Sequence, residues 1–507
     1  MENKSIFKFI SRKNILLGIY SFLILLASYS AYFKNYDQPN ALFWDENYHI
    51  ASAQKYLDGV MFMEYHPPLG KLFIALGEKI FHPNDSLDLR HFTQTDYLKE
   101  VPAGYSFKGV RFFSTFFGWI SAILFFSLLY LISKNPHISF AFSFMYVFEN
   151  AFIVHFRSAM LEGTQIFFIL LSILYFVYLC EKKSSVNLLG YFTLGIFMGL
   201  AVSVKANSAI IFLLFPFLFF YGQKKQGVAI KKEIYALIGK FFLKGLVLLS
   251  GISIIFVSVW AIHFSLGKNI ANGNHYRASE EYKKLIGRQF LTPYDFFIIL
   301  RDNMEYSQNY NKGVPKLDVS KPGENGSHPL TWPFGGKPID YRWDALGNGT
   351  TKHLYLQGNV INWALALLAI IFSFGLSVAV WIFKIKVKNR RIFNYIVWFL
   401  LLYLVYMAVM FQIGRVMYLY HYFITLIFSF ILVFLDFYFI WTEYLKSNKR
   451  ALFVSLFLLL FFISASYFFI SPLTYYYPLT KDELNQRLWQ KKVKEIVPLI
   501  FNGRANP

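Results

Sequence analysis

Asp45 and Glu46 stand side by side just after the first long apolar run, where a pair of carboxylates beside a membrane is costly enough to need a purpose. Other ionisable and polar groups recur at the edges of later apolar runs. His49, His66 and Lys71 follow in the same polar segment, and Arg111 opens the second run. Glu149, Asn150, Arg157 and Glu162 surround the break between the third and fourth. Lys205 marks the turn between the fifth and sixth, His263 ends the seventh, and Arg415, His421 and Tyr422 open the tenth. A carboxylate within reach of a hydroxyl can take its proton. Arginines, lysines and imidazoles can hold a negative group and stabilise charge that grows on it.

Each residue also has a plainer reading. Arg111, Arg157 and Arg415 could be anchors that reach for lipid headgroups. Glu149 with Arg157, or Glu162 with Lys205, could be ion pairs between helices, and Asp45–Glu46 could favour a helix N-terminus. The case for chemistry rests on their collecting on one side of the membrane.

That side follows from the elements that carry them. Of 507 residues, 56% are hydrophobic and only 16% charged, which suits a chain solvated mostly by lipid. Eleven runs can cross a bilayer as helices: 14–33, 110–133, 139–156, 163–180, 188–204, 206–222, 243–266, 357–383, 392–413, 415–440 and 452–471. With the N-terminus in the cytoplasm (Lys4, Lys8, Arg12, Lys13), every short inner loop is basic. Lys134, Lys182–Lys183, Lys224 to Lys240, Lys384 to Arg391 and Lys446 to Arg450 all fall inside, as the positive-inside rule requires. This accounts for a net charge of +21 without nucleic acid. Three segments then lie outside: 34–109 within the membrane region 1–266, 267–356 between it and the membrane region 357–471, and the tail 472–507. The ionisable residues above fall toward the same outer face. In the first segment, 48–57 and 69–81 read as amphipathic helices along the outer membrane surface, the second opened by Pro67–Pro68. Residues 313–349 read as an ordered, turn-rich loop. The single cysteine, Cys180, excludes a disulfide framework and a cysteine metal site, and no cluster demands a metal or cofactor.

Several segments resemble the protein O-mannosyltransferase family of GT-C membrane glycosyltransferases. Trp44-Asp45-Glu46-Asn47-Tyr48-His49 is similar to its Asp-Glu motif, although His49 comes one residue late. His66-Pro67-Pro68-Leu69-Gly70-Lys71, Gly109-Val110-Arg111-Phe112, Glu149-Asn150 and Arg157 to Glu162 resemble further motifs. So do Gly199 to Lys205, His328 to Pro333 around Trp332, Leu356 to Trp363 around Asn359, and Arg415 to Tyr422. Val360 replaces the usual proline. The resemblance implies an all-α, polytopic GT-C fold and an inverting transfer of a sugar, mannose above all, from a polyprenyl phosphate to Ser or Thr of a secreted or membrane protein. Asp45 would then be the base, with Glu46 orienting the acceptor. His66, Lys71, Arg111, Arg157, Lys205, Arg415, His421 and Tyr422 would hold the donor. Glu149, Asn150, Glu162, His49, Trp332 and Asn359 would line the acceptor side or cavity. The 267–356 segment is too short for the lumenal β-trefoil of eukaryotic members, which points to a bacterial inner membrane enzyme, and pairing with a second chain is a further expectation. Transfer of an aminopentose or other sugar to a lipid, and transport, stand as alternatives.

Overall fold

The computed structural model describes residues 12–225, 234–288, 291–318, 320–445 and 448–489. Lys4, Lys8, Lys231, Lys232, Lys446 and the tail beyond residue 489 lie outside them. The helices are α1 (Arg12–Tyr32), α2 (Glu46–Leu57), α3 (Leu69–Phe81), α4 (Lys108–Ser133), α5 (Pro136–Val147), α6 (Asn150–Phe156), α7 (Glu162–Glu181), α8 (Leu188–Val202), α9 (Leu214–Lys225) and α10 (Ile234–Leu266). After them come α11 (Glu280–Lys283), α12 (Pro293–Gly313), α13 (Val360–Trp381), α14 (Arg390–Gln412), α15 (Phe423–Ile440), α16 (Lys449–Thr474) and α17 (Lys481–Arg487).

Nine helical stretches among the described residues are long and apolar enough to cross a membrane. The remaining two of the eleven expected runs have a different form. Residues 139–156 fall in α5 and α6, which meet at a 56° bend, and 188–204 becomes the shorter α8. The protein is a multi-pass integral membrane protein, built mainly of helices.

Close helix contacts follow from small residues. At the α3–α4 crossing, a Cβ on Gly77 would stand 2.3 Å from the Gly109 carbonyl oxygen, so only glycine lets these backbones meet. That contact fixes the start of α4, where Arg111 sits.

The amphipathic segments separate into two kinds. α3 leaves Leu76, Ile80 and Phe81 exposed, as a surface helix does. For α2 the expected surface placement is corrected: nine of its twelve residues are buried, because α3 and the loop around Arg90–Gln94 cover it. The second polar segment is more regular than its turn-rich composition predicts. It contains the 21-residue α12, started by a capping box between Thr292 and Asp295, and a hairpin of β1 (Ile339–Leu346) and β2 (Thr350–Leu356). The tail adds β3 (Pro478–Leu479) to that hairpin, antiparallel to β2. Met61 and Met63 join Trp260, Tyr282, Ile298 and Ile299 in a separate apolar cluster, which ties the two polar segments together over the end of α10. Sequence-distant loops are thereby packed into one cap on one end of the bundle.

Candidate active site

Trp44 takes a left-handed backbone conformation, φ 53°, and turns the chain into α2. Asp45 occupies the N-cap of α2 but makes no side-chain capping bond, so its carboxylate is left for other partners. The next residue has the opposite fate. Glu46 is fully buried, and its carboxylate accepts from Arg111 Nε (2.7 Å), Arg111 Nη2 (2.8 Å) and the Ala159 amide (2.8 Å). The three remaining N–H groups of Arg111 reach the carbonyls of Asp37, Pro39 and Ala41. All five guanidinium donors are therefore taken. The expectation that Arg111 holds a donor phosphate is corrected: its donors fix Glu46 and the loop before α2.

Asp45 is only half-buried. Its Oδ2 accepts from the Tyr420 hydroxyl at 3.2 Å. Burial pushes its carboxyl above the ordinary carboxylate range, and nearby Lys205 pulls it part of the way back. Behind it runs a buried polar chain. Lys205 Nζ and His155 Nε2 meet the two oxygens of Glu162, and His155 Nδ1 meets the Tyr341 hydroxyl at 2.6 Å. Tyr420 lies flat against His155 on one contact (4.9 Å, 25°) and against His421 on another (4.7 Å, 23°). Trp332, fully buried and anchored by Nε1 to Ser327 Oγ, stacks on His421 in turn.

His66, His421 and Arg415, each only partly buried, complete a mouth around Asp45 and Lys205. His66, half-buried at the entrance to α3, is held neutral: burial, then Lys205 and Lys71, push it well below its ordinary range. Its position depends on a dock two residues beyond Pro67, where the Leu69 amide donates to the Ser203 carbonyl in the turn that carries Lys205. Arg415 is half-buried beside Tyr310, Tyr418 and His421, and makes no ion pair among the described residues. His49 is buried in α2, with Nδ1 against the Ala159 carbonyl at 2.8 Å.

Other expected site residues stand elsewhere. Lys71 is 1% exposed, paired with Glu64 at 2.8 Å and donating to Ser52, so it supports the loop and does not face the mouth. Arg157 donates to the carbonyls of Thr474 and Asn35 and lies over the Tyr475 ring, clamping the end of α6 to the ends of α1 and α16. Tyr422 is buried, its hydroxyl 3.3 Å from that of Tyr403 in α14. Glu149, Asn150 and Asn359 form a separate buried junction. Glu149 accepts from the Ala151 and Asn359 amides, Asn362 Nδ2 and Trp363 Nε1. Asn150 donates to Thr474, and Asn359 caps α13 while donating to the Phe148 and Ile463 carbonyls. These residues are fully buried and stabilise the bend between α5 and α6; none of their hydrogen bonds reaches Asp45, Lys205 or Arg415 among the described residues.

His155, Tyr341 and Tyr420 carry little signal of their own in the sequence: His155 sits between the Glu149-Asn150 and Arg157 to Glu162 segments, and Tyr420 lies inside the Arg415 to Tyr422 segment, one residue before His421. A cavity of about 1000 Å³ lies on the other side of α3, between Leu72, Leu76 and the end of α10 at Ile262 and Leu266, away from Asp45. Among the described residues no group of three or more His, Cys, Asp or Glu is arranged to hold a metal ion.

The arrangement can take a proton at Asp45 and present cationic and imidazole groups to an anion beside it. Comparison with known proteins gives the family. A model described as dolichyl-phosphate-mannose-protein mannosyltransferase matches residues 21–266, and one described as the C-terminal four-transmembrane region of protein O-mannosyltransferase matches 301–493. The chain is 28% identical over 267 residues to dolichyl-phosphate-mannose–protein mannosyltransferase 1 of Candida albicans, covering 51% of this chain and 29% of that one. It is 19% identical over 285 residues to protein O-mannosyl-transferase 2 of Drosophila melanogaster, covering 52% and 34%. The matches span about a third or less of the length of these curated relatives. The fold is that of a chain in the Saccharomyces cerevisiae protein O-mannosyltransferase Pmt1-Pmt2 complex bound to the sugar donor, with a TM-score of 0.78 at 15% identity over 95% of this chain and 92% of that one.

Proposed function

The chain belongs to the protein O-mannosyltransferase family, and on that premise we propose that it moves a mannosyl group from a polyprenyl phosphate to Ser or Thr hydroxyls of translocated proteins. The observation that carries this reading is the division of labour between adjacent acids. Glu46 is locked by Arg111, whereas Asp45 is half-buried, uncapped and open to the mouth.

The hydroxyl of the acceptor is a poor nucleophile and needs a base within hydrogen-bond reach. Asp45 takes its proton as the acceptor oxygen bonds to the sugar C1. The C1–O bond to phosphate breaks on the opposite side, and the phosphate leaves with the electron pair. One carboxylate suffices for this single displacement, which inverts the anomeric centre. Arg415, with the free N–H donors of Lys205, meets the charge growing on phosphate, and His66 and His421 supply further polar contacts. Glu46 acts at one remove by holding the turn that aims Asp45. Glu162, His49 and Trp332 stabilise the residues behind the mouth. No metal or other cofactor enters this scheme.

We place the mouth on the outer face of a bacterial plasma membrane, with the N-terminus inside, as the basic short loops argue. Pairing with a second chain is carried over from the solved relative as part of the proposal. The test is incubation of the purified full-length chain in lipid nanodiscs with radiolabelled polyprenyl-phosphate-mannose and a Ser/Thr peptide. Label on the peptide is the expected result. Label on membrane lipid instead would make the acceptor a lipid, and no label on either would overturn the reading.

A further inference from the structure

We infer that Tyr420 is a positioning residue for the base: its hydroxyl fixes the Asp45 carboxylate in the orientation from which it takes the acceptor proton. The inference rests on the reading of Asp45 as base. Four observations carry it. The Tyr420 hydroxyl donates to Asp45 Oδ2 at 3.2 Å, across 375 residues of chain. Its ring cannot swing away, because His155 stacks 4.9 Å from one part of it and His421 and Tyr418 stack at 4.7 and 5.7 Å. The Lys205 ammonium sits 5.5 Å from the ring centroid. Finally, Asp45 makes no ion pair among the described residues and no helix-capping bond, so this hydrogen bond is its main positional restraint.

A hydrogen bond donated to a carboxylate favours the charged form. Burial works in the other direction at Asp45, raising its pKa; Lys205 opposes that rise most, and the Tyr420 bond adds a smaller contribution of the same sign. Tyr420 keeps its own proton throughout. The acceptor proton passes to Asp45, and the Tyr420 hydroxyl bond holds the oxygen pair in one rotamer before and after the transfer.

The experiment is the pH profile of kcat/KM for transfer from polyprenyl-phosphate-mannose to a Ser/Thr peptide, with the full-length chain in nanodiscs. Tyr420→Phe keeps the stacked ring and removes one oxygen. Its acidic limb is expected to rise by roughly 0.5–1 pH unit, with kcat lowered and the peptide KM unchanged. Tyr403→Phe, which removes a nearby buried hydroxyl that meets Tyr422, should leave the limb in place. An unmoved limb in Tyr420→Phe, or an equal shift in both variants, overturns the inference. If Tyr420→Phe does not fold, 3-fluorotyrosine at position 420 decides the matter. Its more acidic hydroxyl is a stronger donor, so the limb should fall, and an unmoved limb overturns the inference. The Asp45→Asn variant separates the two levels. If its residual activity keeps the same acidic limb, the base assignment itself fails; if the limb disappears there but Tyr420→Phe behaves as wild type, only the role of Tyr420 fails.

Discussion

Arg111 donates to both carboxylate oxygens of Glu46, at 2.7 and 2.8 Å, and neither side chain is exposed. Removing one partner of a buried pair strands the other charge, at a cost of about 3–5 kcal/mol. Arg111→Ala should therefore lower the thermal midpoint of the detergent-solubilised protein sharply. A drop in donor affinity without loss of stability would return Arg111 to the phosphate. Glu46→Gln keeps one acceptor oxygen and should be milder.

Glu149 accepts four hydrogen bonds where the α5–α6 bend meets α13. Glu149→Ala leaves these buried donors without a partner, each worth about 1–3 kcal/mol. Stability should fall by roughly 3 kcal/mol or more, while the fraction that stays folded keeps its KM values. Thermal unfolding and kinetics on the same preparation check both halves.

Arg415 should act on the donor. With no ion pair of its own among the described residues, it is free to bond a phosphate. Arg415→Ala should raise the donor KM by roughly 10- to 100-fold, the worth of a hydrogen bond to a charged group. The peptide KM should hardly move. Kinetics at varied donor concentration make the check.

His49 makes the fold acid-sensitive. Burial first, then Lys71, lowers its pKa from 6.5 to about 3. Below pH 6.5 the unfolded chain binds a proton that the folded chain refuses. The stability His49 contributes is thus intact above 6.5 and is lost as pH falls toward 3, at about 1.4 kcal/mol per pH unit. A His49→Gln variant should have a shallower fall of thermal midpoint across that window.

Apolar length was enough to locate the nine helices among the described residues that are long enough to cross a membrane, because the cost of an unsatisfied backbone in lipid leaves helices little freedom. Periodicity could not tell a straight span from the bent α5–α6 pair, since the bend depends on Glu149 capping a helix and bonding across to α13. The site was legible in kind. Asp45, Lys205, His66, Arg415 and His421 do gather at one mouth. Which charges would be used up internally was not legible. Arg111, Lys71 and Arg157 look like phosphate ligands in one dimension, and only packing shows Arg111 and Lys71 committed to carboxylates, carbonyls and a hydroxyl, and Arg157 held by two carbonyls beneath the Tyr475 ring. The amphipathic reading of α2 failed for a related reason: its polar residues face protein partners and not water, as where the buried Lys55 meets the exposed Asp96 as an ion pair.

Adjacent acids with different tasks are the centre of the account, and the single-turnover rate of mannosyl transfer to peptide in Asp45→Asn tests it most directly. Loss of a positioned general base should slow transfer by about 10²- to 10⁴-fold with the protein folded and the donor still bound. An Asp45→Asn rate within a few-fold of wild type would contradict it, and would send the search for the base back to Glu46 and the histidines of the mouth.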